Sequence, residues 1–413
     1  MRYHGFCVRA CIRTAALAFH AILMLQQSAT AAEYPPVPWG KIHSTTNGTG
    51  LVTLEVQRWP ENGKLSLPTP FAHVTAASYL KSSSPGVLRA GGAGLNTKVP
   101  LQWEFNADAT ALTLELPAKD SASLPAIIEL ETAERTAQFA GGRITFSALD
   151  ATVHGTRAKL ETHPGNHRIG FWTSAKDVAG WDFKPTRWGR YDLEVTFSAD
   201  GGAGTELQLE LAGQTFRVAR PSTGSWYRYQ TLKVATFYLP KSEPFTLKAG
   251  CRELKGVAVM NLKAVTLRPA PEGPRSAQDA AGLVTLPSSS GMTHSVMMRY
   301  EPASNKNCMG YWVNPADWAE WEFELLKPGT FEVEVWQGCG KGQGGSDVAV
   351  QIGGREFSFT VEDTGHFQNF IPRRLGRVTL DRAGLHSLAV KPQRKKAGAI
   401  MDIRQVRLLP IQP

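Results

Sequence analysis

Cys308-Met-Gly-Tyr-Trp-Val-Asn-Pro-Ala-Asp-Trp-Ala-Glu-Trp321 places four aromatic residues in fourteen positions, and an echo of this stretch occurs earlier in the chain. The echo lies 140 positions upstream, where Gly170, Phe171, Trp172 and Trp181 stand for Gly310, Tyr311, Trp312 and Trp321. At the same offset Gly189-Arg-Tyr-Asp-Leu-Glu-Val195 falls on Gly329-Thr-Phe-Glu-Val-Glu-Val335. One inserted residue later the offset is 141, and Gly213, Phe216, Thr223, Gly224 and Met260 meet Gly354, Phe357, Thr364, Gly365 and Met401. A duplication of about 125 residues is far longer than a solenoid repeat, so each copy is expected to be a whole domain.

Period-two alternation in Leu51-Val-Thr-Leu-Glu-Val56, Leu112-Thr-Leu-Glu-Leu116, Glu206-Leu-Gln-Leu-Glu-Leu211 and Asp347-Val-Ala-Val-Gln-Ile352 is the pattern of half-buried strands. No long helical period occurs, and 39 Gly with 26 Pro punctuate the chain with turns. The fold class read from this is all-β: three consecutive β-sandwich domains, the last two being duplicated jelly rolls. The boundaries expected are 1–32 for a leader, 33–139 for a first sandwich, 140–270 for the first copy and 271–413 for the second. The proline-rich linker Pro269-Ala-Pro-Glu-Gly-Pro274 separates the copies.

Residues 1–32 read as a cleaved secretory signal. Arg2, Arg9 and Arg13 form a basic start without an acid, an apolar run follows, and Ala29-Thr-Ala-Ala32 offers small cleavage positions. That run is too short to span a bilayer as a mature helix, and no other stretch could cross one. The protein is therefore expected to be secreted, periplasmic or held at the cell surface. Without the leader the net charge falls from +9 to about +6. Cys251, Cys308 and Cys339 remain. Cys308 and Cys339 lie in one copy beside loop signals, and an exported setting permits a disulfide between them; separate thiols are the other reading.

Two resemblances follow from particular residues. Trp39-Gly-Lys41, then Leu54-Glu-Val-Gln-Arg-Trp-Pro-Glu-Asn-Gly-Lys-Leu-Ser-Leu-Pro68, a Tyr79-Leu80 strand, Leu112-Thr-Leu-Glu-Leu-Pro117 and Ala126-Ile-Ile-Glu-Leu-Glu131 together resemble the small C-terminal β-sandwich of family 29 α-L-fucosidases. The likeness covers residues 38–132, with residues 50–68 read as a β-meander around the Asn62-Gly63 turn. In that family the sandwich follows a catalytic barrel of roughly 250 residues. The expectation here is that its catalytic Asp and Glu have no counterpart.

Each copy resembles the carbohydrate-binding modules of families 6 and 35, which are galactose-binding-like jelly rolls. The matching elements are Ile169-Gly-Phe-Trp172, Met309-Gly-Tyr-Trp312, Trp181-Asp-Phe183, Trp321-Glu-Phe323 and Thr223-Gly-Ser-Trp-Tyr-Arg-Tyr-Gln230. The resemblance implies a sugar site made of two loop aromatics with an amide between them. Transferred by position, these are Phe171, Trp226 and Asn261 in the first copy and Tyr311, Phe367 and Asp402 in the second. The chemistry suits a sugar, because flat apolar faces stack on C–H groups and a planar polar group orients hydroxyls. Trp181 and Trp321, in alternating strands, read as core anchors instead. Calcium is common in these families, held by oxygen ligands that include an acid in the opening strand. Here that place reads Ser147-Ala-Leu-Asp150 and Leu286-Pro-Ser-Ser289, without the usual Glu, so no cofactor is the leading expectation and calcium is the alternative the resemblance leaves open.

Residues 373–407 carry ten Lys or Arg against Asp381 and Asp402. On one face they would attract sulfated or acidic polysaccharides; as strand-edge charges they would only protect edges. No nucleophile elbow, phosphate-binding loop, dinucleotide fingerprint or His-rich metal motif is present, and export argues against a nucleic-acid partner. The leading expectation is a secreted, non-catalytic carbohydrate-binding protein. The alternatives are a fucosidase-related hydrolase chain lacking its barrel and a cell-surface scaffold for protein partners.

Overall fold

The computed structural model describes residues 37–44, 50–68, 73–82, 96–105, 111–118, 124–133, 135–163 and 166–411. The segment 1–32 expected to be a leader lies outside them. Among the described residues the regular structure is strand throughout, apart from the short 3-10 turns Ala148–Asp150 and Ser288–Ser290. Among the described residues no helix is long and apolar enough to cross a membrane. Three hydrophobic clusters mark three packed cores.

The first core lies between a five-stranded sheet (Gly40–Ser44, Gly50–Val56, Ala126–Ala133, His73–Ser82, Asn96–Pro100) and a three-stranded one (Lys64–Pro68, Ala111–Glu115, Trp103–Phe105). The expected meander over residues 50–68 does not form. Lys64–Pro68 pairs with Ala111–Glu115 in the opposite sheet, while Gly50–Val56 pairs with Gly40–Ser44 and Ala126–Ala133. The chain turns a corner between sheets: Trp59 drops into the core edge-on to Tyr79 at 6.1 Å, Pro60 has no N–H for a ladder, and Gly63 turns at φ 66°.

The two copies share one topology. In the first, one sheet runs Lys159–His163, Asn166–Gly170, Asn261–Pro269, Gly189–Ala199, Ser225–Leu239, with Ile144–Ser147 along the far half of Asn261–Pro269. The facing sheet runs Thr152–His154, Val178–Phe183, Phe245–Glu253, Thr205–Leu211, Gln214–Arg220. In the second copy the corresponding strands are Arg299–Glu301, Cys308–Gly310, Asp402–Pro410, Gly329–Cys339 and His366–Leu380, faced by Met292–His294, Trp318–Leu325, Gly384–Arg394, Asp347–Ile352 and Arg355–Thr360. Even the register shifts recur, at Leu193/Glu194 and Phe197/Ala199 and again at Val333/Glu334 and Gln337/Cys339.

Trp181 and Trp321 anchor the two cores, as their alternating strands led one to expect. Each is buried and donates its indole N–H to the opening strand, Trp181 to Ser147 O at 2.7 Å and Trp321 to Pro287 O at 2.9 Å. Trp172 and Trp312 are fully buried as well, which removes them from any ligand surface.

The copies are joined by more than the linker. Thr186 Oγ1 donates to Val296 O, and the Arg187 guanidinium, only 3% exposed, donates to Thr293 Oγ1 and to Met298 O at 2.9 Å. Arg299 lies 3.5 Å from the Trp188 ring centre and 3.4 Å from that of Tyr311, so a cation of the second copy fills the space between aromatics of both. Arg187→Ala strands two buried acceptors at this junction and is expected to cost about 1–3 kcal/mol. Calorimetric unfolding should show a lower midpoint and the two copies melting apart; an unchanged single transition contradicts this.

Candidate functional site

At the same end of both jelly rolls the chain makes a close pass over a buried polar group. A Cβ built on Gly170 would lie 2.5 Å from Glu161 Oε2 and 3.2 Å from Asn261 Oδ1; on Gly310 it would lie 2.6 Å from Glu301 Oε2 and 3.2 Å from Asp402 Oδ1. A side chain there would displace a buried, ion-paired glutamate, and glycine leaves that contact undisturbed. The next residue, Phe171 or Tyr311, is then held in the left-handed region, at φ 51° and 59°. Such a conformation is costly for an aromatic residue and persists only where the surroundings impose it. Its result is a ring turned outward, with Phe171 57% and Tyr311 46% exposed.

In the first copy the polar floor is neutral on balance. Asn261 is buried and donates from Nδ2 to Trp226 O at 2.9 Å, leaving Oδ1 toward Gly170. Glu161 is ion-paired with buried Arg168, whose guanidinium also lies 5.5 Å from the ring centre of Tyr227. Arg168 Nη1 is buried without a hydrogen-bond partner. The Lys159 ammonium sits 4.2 Å over Phe171.

In the second copy the floor is acidic. Asp402 takes the place of Asn261, Lys306 pairs with Glu301 at 2.9 Å, and Cys308 occupies the position of Arg168. The Cys308 thiol donates to Asp402 Oδ2 at 3.5 Å and Gln368 Nε2 donates to the same oxygen at 3.2 Å. Burial pushes the Asp402 carboxyl up to about 7; the Cys308 hydrogen bond opposes this, and the Glu301 charge reinforces it. Burial, with the nearby Asp402, also raises the Cys308 thiol far above its ordinary value. Glu301, Cys308 and Asp402 bring three potential ligand atoms within 4.8 Å of one another. With Lys306 on one carboxylate and the thiol proton on the other, they are arranged as a hydrogen-bonded cluster.

Of the two readings left open for Cys308 and Cys339, a disulfide and separate thiols, the structure has separate thiols. Both thiols are free and buried, and Cys339 Sγ faces Ile400 O at 3.9 Å. The strand Asp402–Pro410 lies between Cys308–Gly310 and Gly329–Cys339. Cysteines two strands apart are separated by about 10 Å, beyond the reach of a disulfide.

Phe171 and Asn261 are brought together through Gly170, as are Tyr311 and Asp402 through Gly310. Trp226 meets Asn261 by its carbonyl oxygen only, while its half-buried ring packs against the core. Its neighbour Tyr227 is 71% exposed and offers the open aromatic face at this loop. Phe367 is half-buried against Gly340, where a Cβ would come within 2.5 Å of its ring. Glu161, Glu301, Arg168, Lys159 and Tyr227 were not singled out by sequence reasoning. A signal for the glutamates was present: Glu161 and Glu301 stand at the repeat offset, each nine residues before the glycine that packs on it.

The opening-strand place where the resemblance put calcium holds hydroxyl and carboxylate caps. Ser147 Oγ accepts from Leu149 N, Asp150 Oδ2 accepts from Thr136 N, and Ser288 Oγ donates to Ile403 O. The ten cations of residues 373–407 divide between surfaces. Arg374 and Arg407 share Glu334, Arg394 pairs with Asp347 on the other sheet, and Arg404 lies over Phe370 at 4.1 Å.

No protein-family model matches the chain, and no curated protein matches it. Among solved structures it is similar to a family 35 carbohydrate-binding module from Clostridium thermocellum, at 17% identity and a TM-score of 0.27, over 30% of this chain and 97% of that one. It is similar to an α-L-fucosidase from a Vibrio strain at 17% identity and a TM-score of 0.25, over 57% of this chain and 40% of that one. A Paenibacillus xanthan lyase matches at 11% identity and a TM-score of 0.30, over 91% of this chain and 39% of that one. These scores are too low to carry a shared fold, so the architecture rests on the strand pairings above.

The raised Asp402 carboxyl has a thermodynamic consequence. Folded Asp402 keeps its proton to about pH 7, whereas an unfolded aspartate releases it near pH 3.9. Stability from this group is therefore full below about pH 4 and is lost as pH rises toward about 7. Asp402→Asn should remove that slope, so that its denaturation midpoint gains on the parent between about pH 5 and about pH 8. An equal difference at both pH values contradicts the assignment.

Proposed function

We propose that the chain is a secreted, non-catalytic carbohydrate-binding protein whose two jelly rolls each take a sugar at the loop tip that carries Phe171 or Tyr311. The observation that supports this most is the shared geometry. In each copy an outward aromatic at positive φ adjoins a buried amide or carboxyl that is covered by a glycine. Such a pairing gives a pyranose an apolar face to lie on and a fixed polar group for its hydroxyls. The sequence resemblance to family 6 and family 35 modules supports the same reading.

The first copy is the better neutral-sugar site, since Asn261 both donates and accepts and Tyr227 adds a second open ring. The second copy offers an acid in place of the amide, and Arg299 covers one face of Tyr311. Single sites of this class bind weakly, so two copies on one chain act through avidity on a polymer. Scattered cations on the second copy would add salt-sensitive attraction to sulfated or acidic chains. Export is inferred from the leader-like composition of residues 1–32.

The test is retention of the purified chain on immobilised neutral, fucosylated and sulfated polysaccharides, with released sugar assayed in the same wells. Phe171→Ala and Tyr311→Ala should each weaken retention about tenfold, or about 1.4 kcal/mol, and the double variant should abolish it. Tyr227→Ala should weaken the first site alone. Release of fucose would overturn the non-catalytic reading, and retention indifferent to all three substitutions would overturn the site.

A further inference from the structure

Each copy carries both halves of the junction that joins them, and only one of each half is used. The socket half, in the first copy, consists of Thr186, Arg187 and Trp188 with Gly142, whose missing side chain lets the Ser295 carbonyl pack directly on the main chain. The inserted half is the turn of residues 293–299 in the second copy, where Thr293, Ser295, Met298 and Arg299 are all buried. At the repeat offset the second copy has its own socket, formed by Leu326, Lys327, Pro328 and Gly282. The first copy has its own turn, residues 153–159.

Both unused halves are open. In the second copy Lys327 and Pro328 are exposed, where Arg187 is buried and Trp188 half-buried, and Leu326 is 57% exposed. A surface cavity of about 690 Å³ lies there, bordered by Asp279, Leu326, Lys327, Pro328, Pro410 and Ile411. In the first copy His154, Gly155, Thr156, Arg157 and Lys159 are exposed. That turn is nevertheless fixed in shape, because the buried Asp177 carboxylate accepts from the main-chain N–H groups of Thr156, Arg157 and Ala158 at 3.1, 2.9 and 2.6 Å. Asp317 and Ser295 organise the inserted turn of the second copy from the equivalent place.

We propose that the free socket of one molecule receives the free turn of another, so that residues 153–159 of a second copy of this chain occupy the cavity beside Leu326. The internal junction supplies the docking mode. The repeat supports the occupant: residues 153–159 are the counterpart of the inserted turn, and they bring Arg157 and Lys159 to a socket in which Asp279 stands where the first copy has Phe139, beside Lys327. Lys327 can donate to the Ala158 carbonyl as Arg187 donates to that of Met298. Because one socket meets one turn, the contact is heterologous and leaves a socket and a turn free at the ends, so association continues beyond a dimer. Pro328 in place of Trp188 removes the ring that clasps Arg299, so this contact is weaker than the internal one and shows itself at high protein concentration.

Sedimentation equilibrium of the full chain over a concentration series tests this. The weight-average mass should climb with concentration and pass that of a dimer. Leu326→Arg sets a cation against the basic turn, and Thr156→Arg enlarges the turn with another; both positions are exposed, and each variant alone should stay monomeric with an unchanged unfolding midpoint. Mixed in equal amounts, the two variants retain one working socket and one working turn, and should form dimers that grow no further. A chain that remains monomeric throughout, association that survives either substitution, or a mixture that grows past the dimer would each overturn the proposal.

Discussion

A main chain that packs on a buried, ion-paired carboxylate leaves little room for a side chain of its own at that point, and this contact recurs at the loop tips of both jelly rolls. At Gly170 and Gly310 the backbone packs on Asn261 with Glu161 and on Asp402 with Glu301. Glycine leaves that contact undisturbed, the following residue stands at positive φ, and an aromatic ring faces solvent beside a polar floor. Burial of that floor is tolerable because each acid has a partner: Arg168 for Glu161, Lys306 for Glu301, and a thiol with an amide for Asp402.

The duplication shows what drift at fixed topology can do. Strand order, bulge positions and the indole anchors are the same in both copies, yet the floor is an amide in one and a titrating acid in the other. The aromatic of the first site is covered by an exposed lysine, and that of the second by an arginine clasped across the junction. One site stands alone, and the other is braced by the neighbouring copy. A head-to-tail pairing inside the chain also explains why matching surfaces are left over at its two ends.

Much of this was legible in the sequence. Strand alternation and the repeat offset gave the all-β class, and the aromatic loops Gly170-Phe171 and Gly310-Tyr311 pointed to the outward rings. The failures share a cause: strand order in space is not written in local pattern. Residues 50–68 read as a meander, but Trp59 and Pro60 steer the chain into the opposite sheet. Whether Cys308 and Cys339 pair could not be read from sequence, because it depends on Asp402–Pro410 lying between their strands. Trp226 read as a platform by motif, although its ring leans on the core and Tyr227 takes the open position. Arg187 and Trp188 gave no sign of a junction, since their partners lie more than a hundred residues away.

The most direct measurement is amide shift mapping of the isotope-labelled chain during titration with neutral and acidic oligosaccharides. Binding at the loop tips predicts saturable shifts centred on Gly170, Phe171, Tyr227 and Asn261 and on Gly310, Tyr311 and Asp402. Shifts centred elsewhere on the jelly rolls, or none across the panel, would contradict the account.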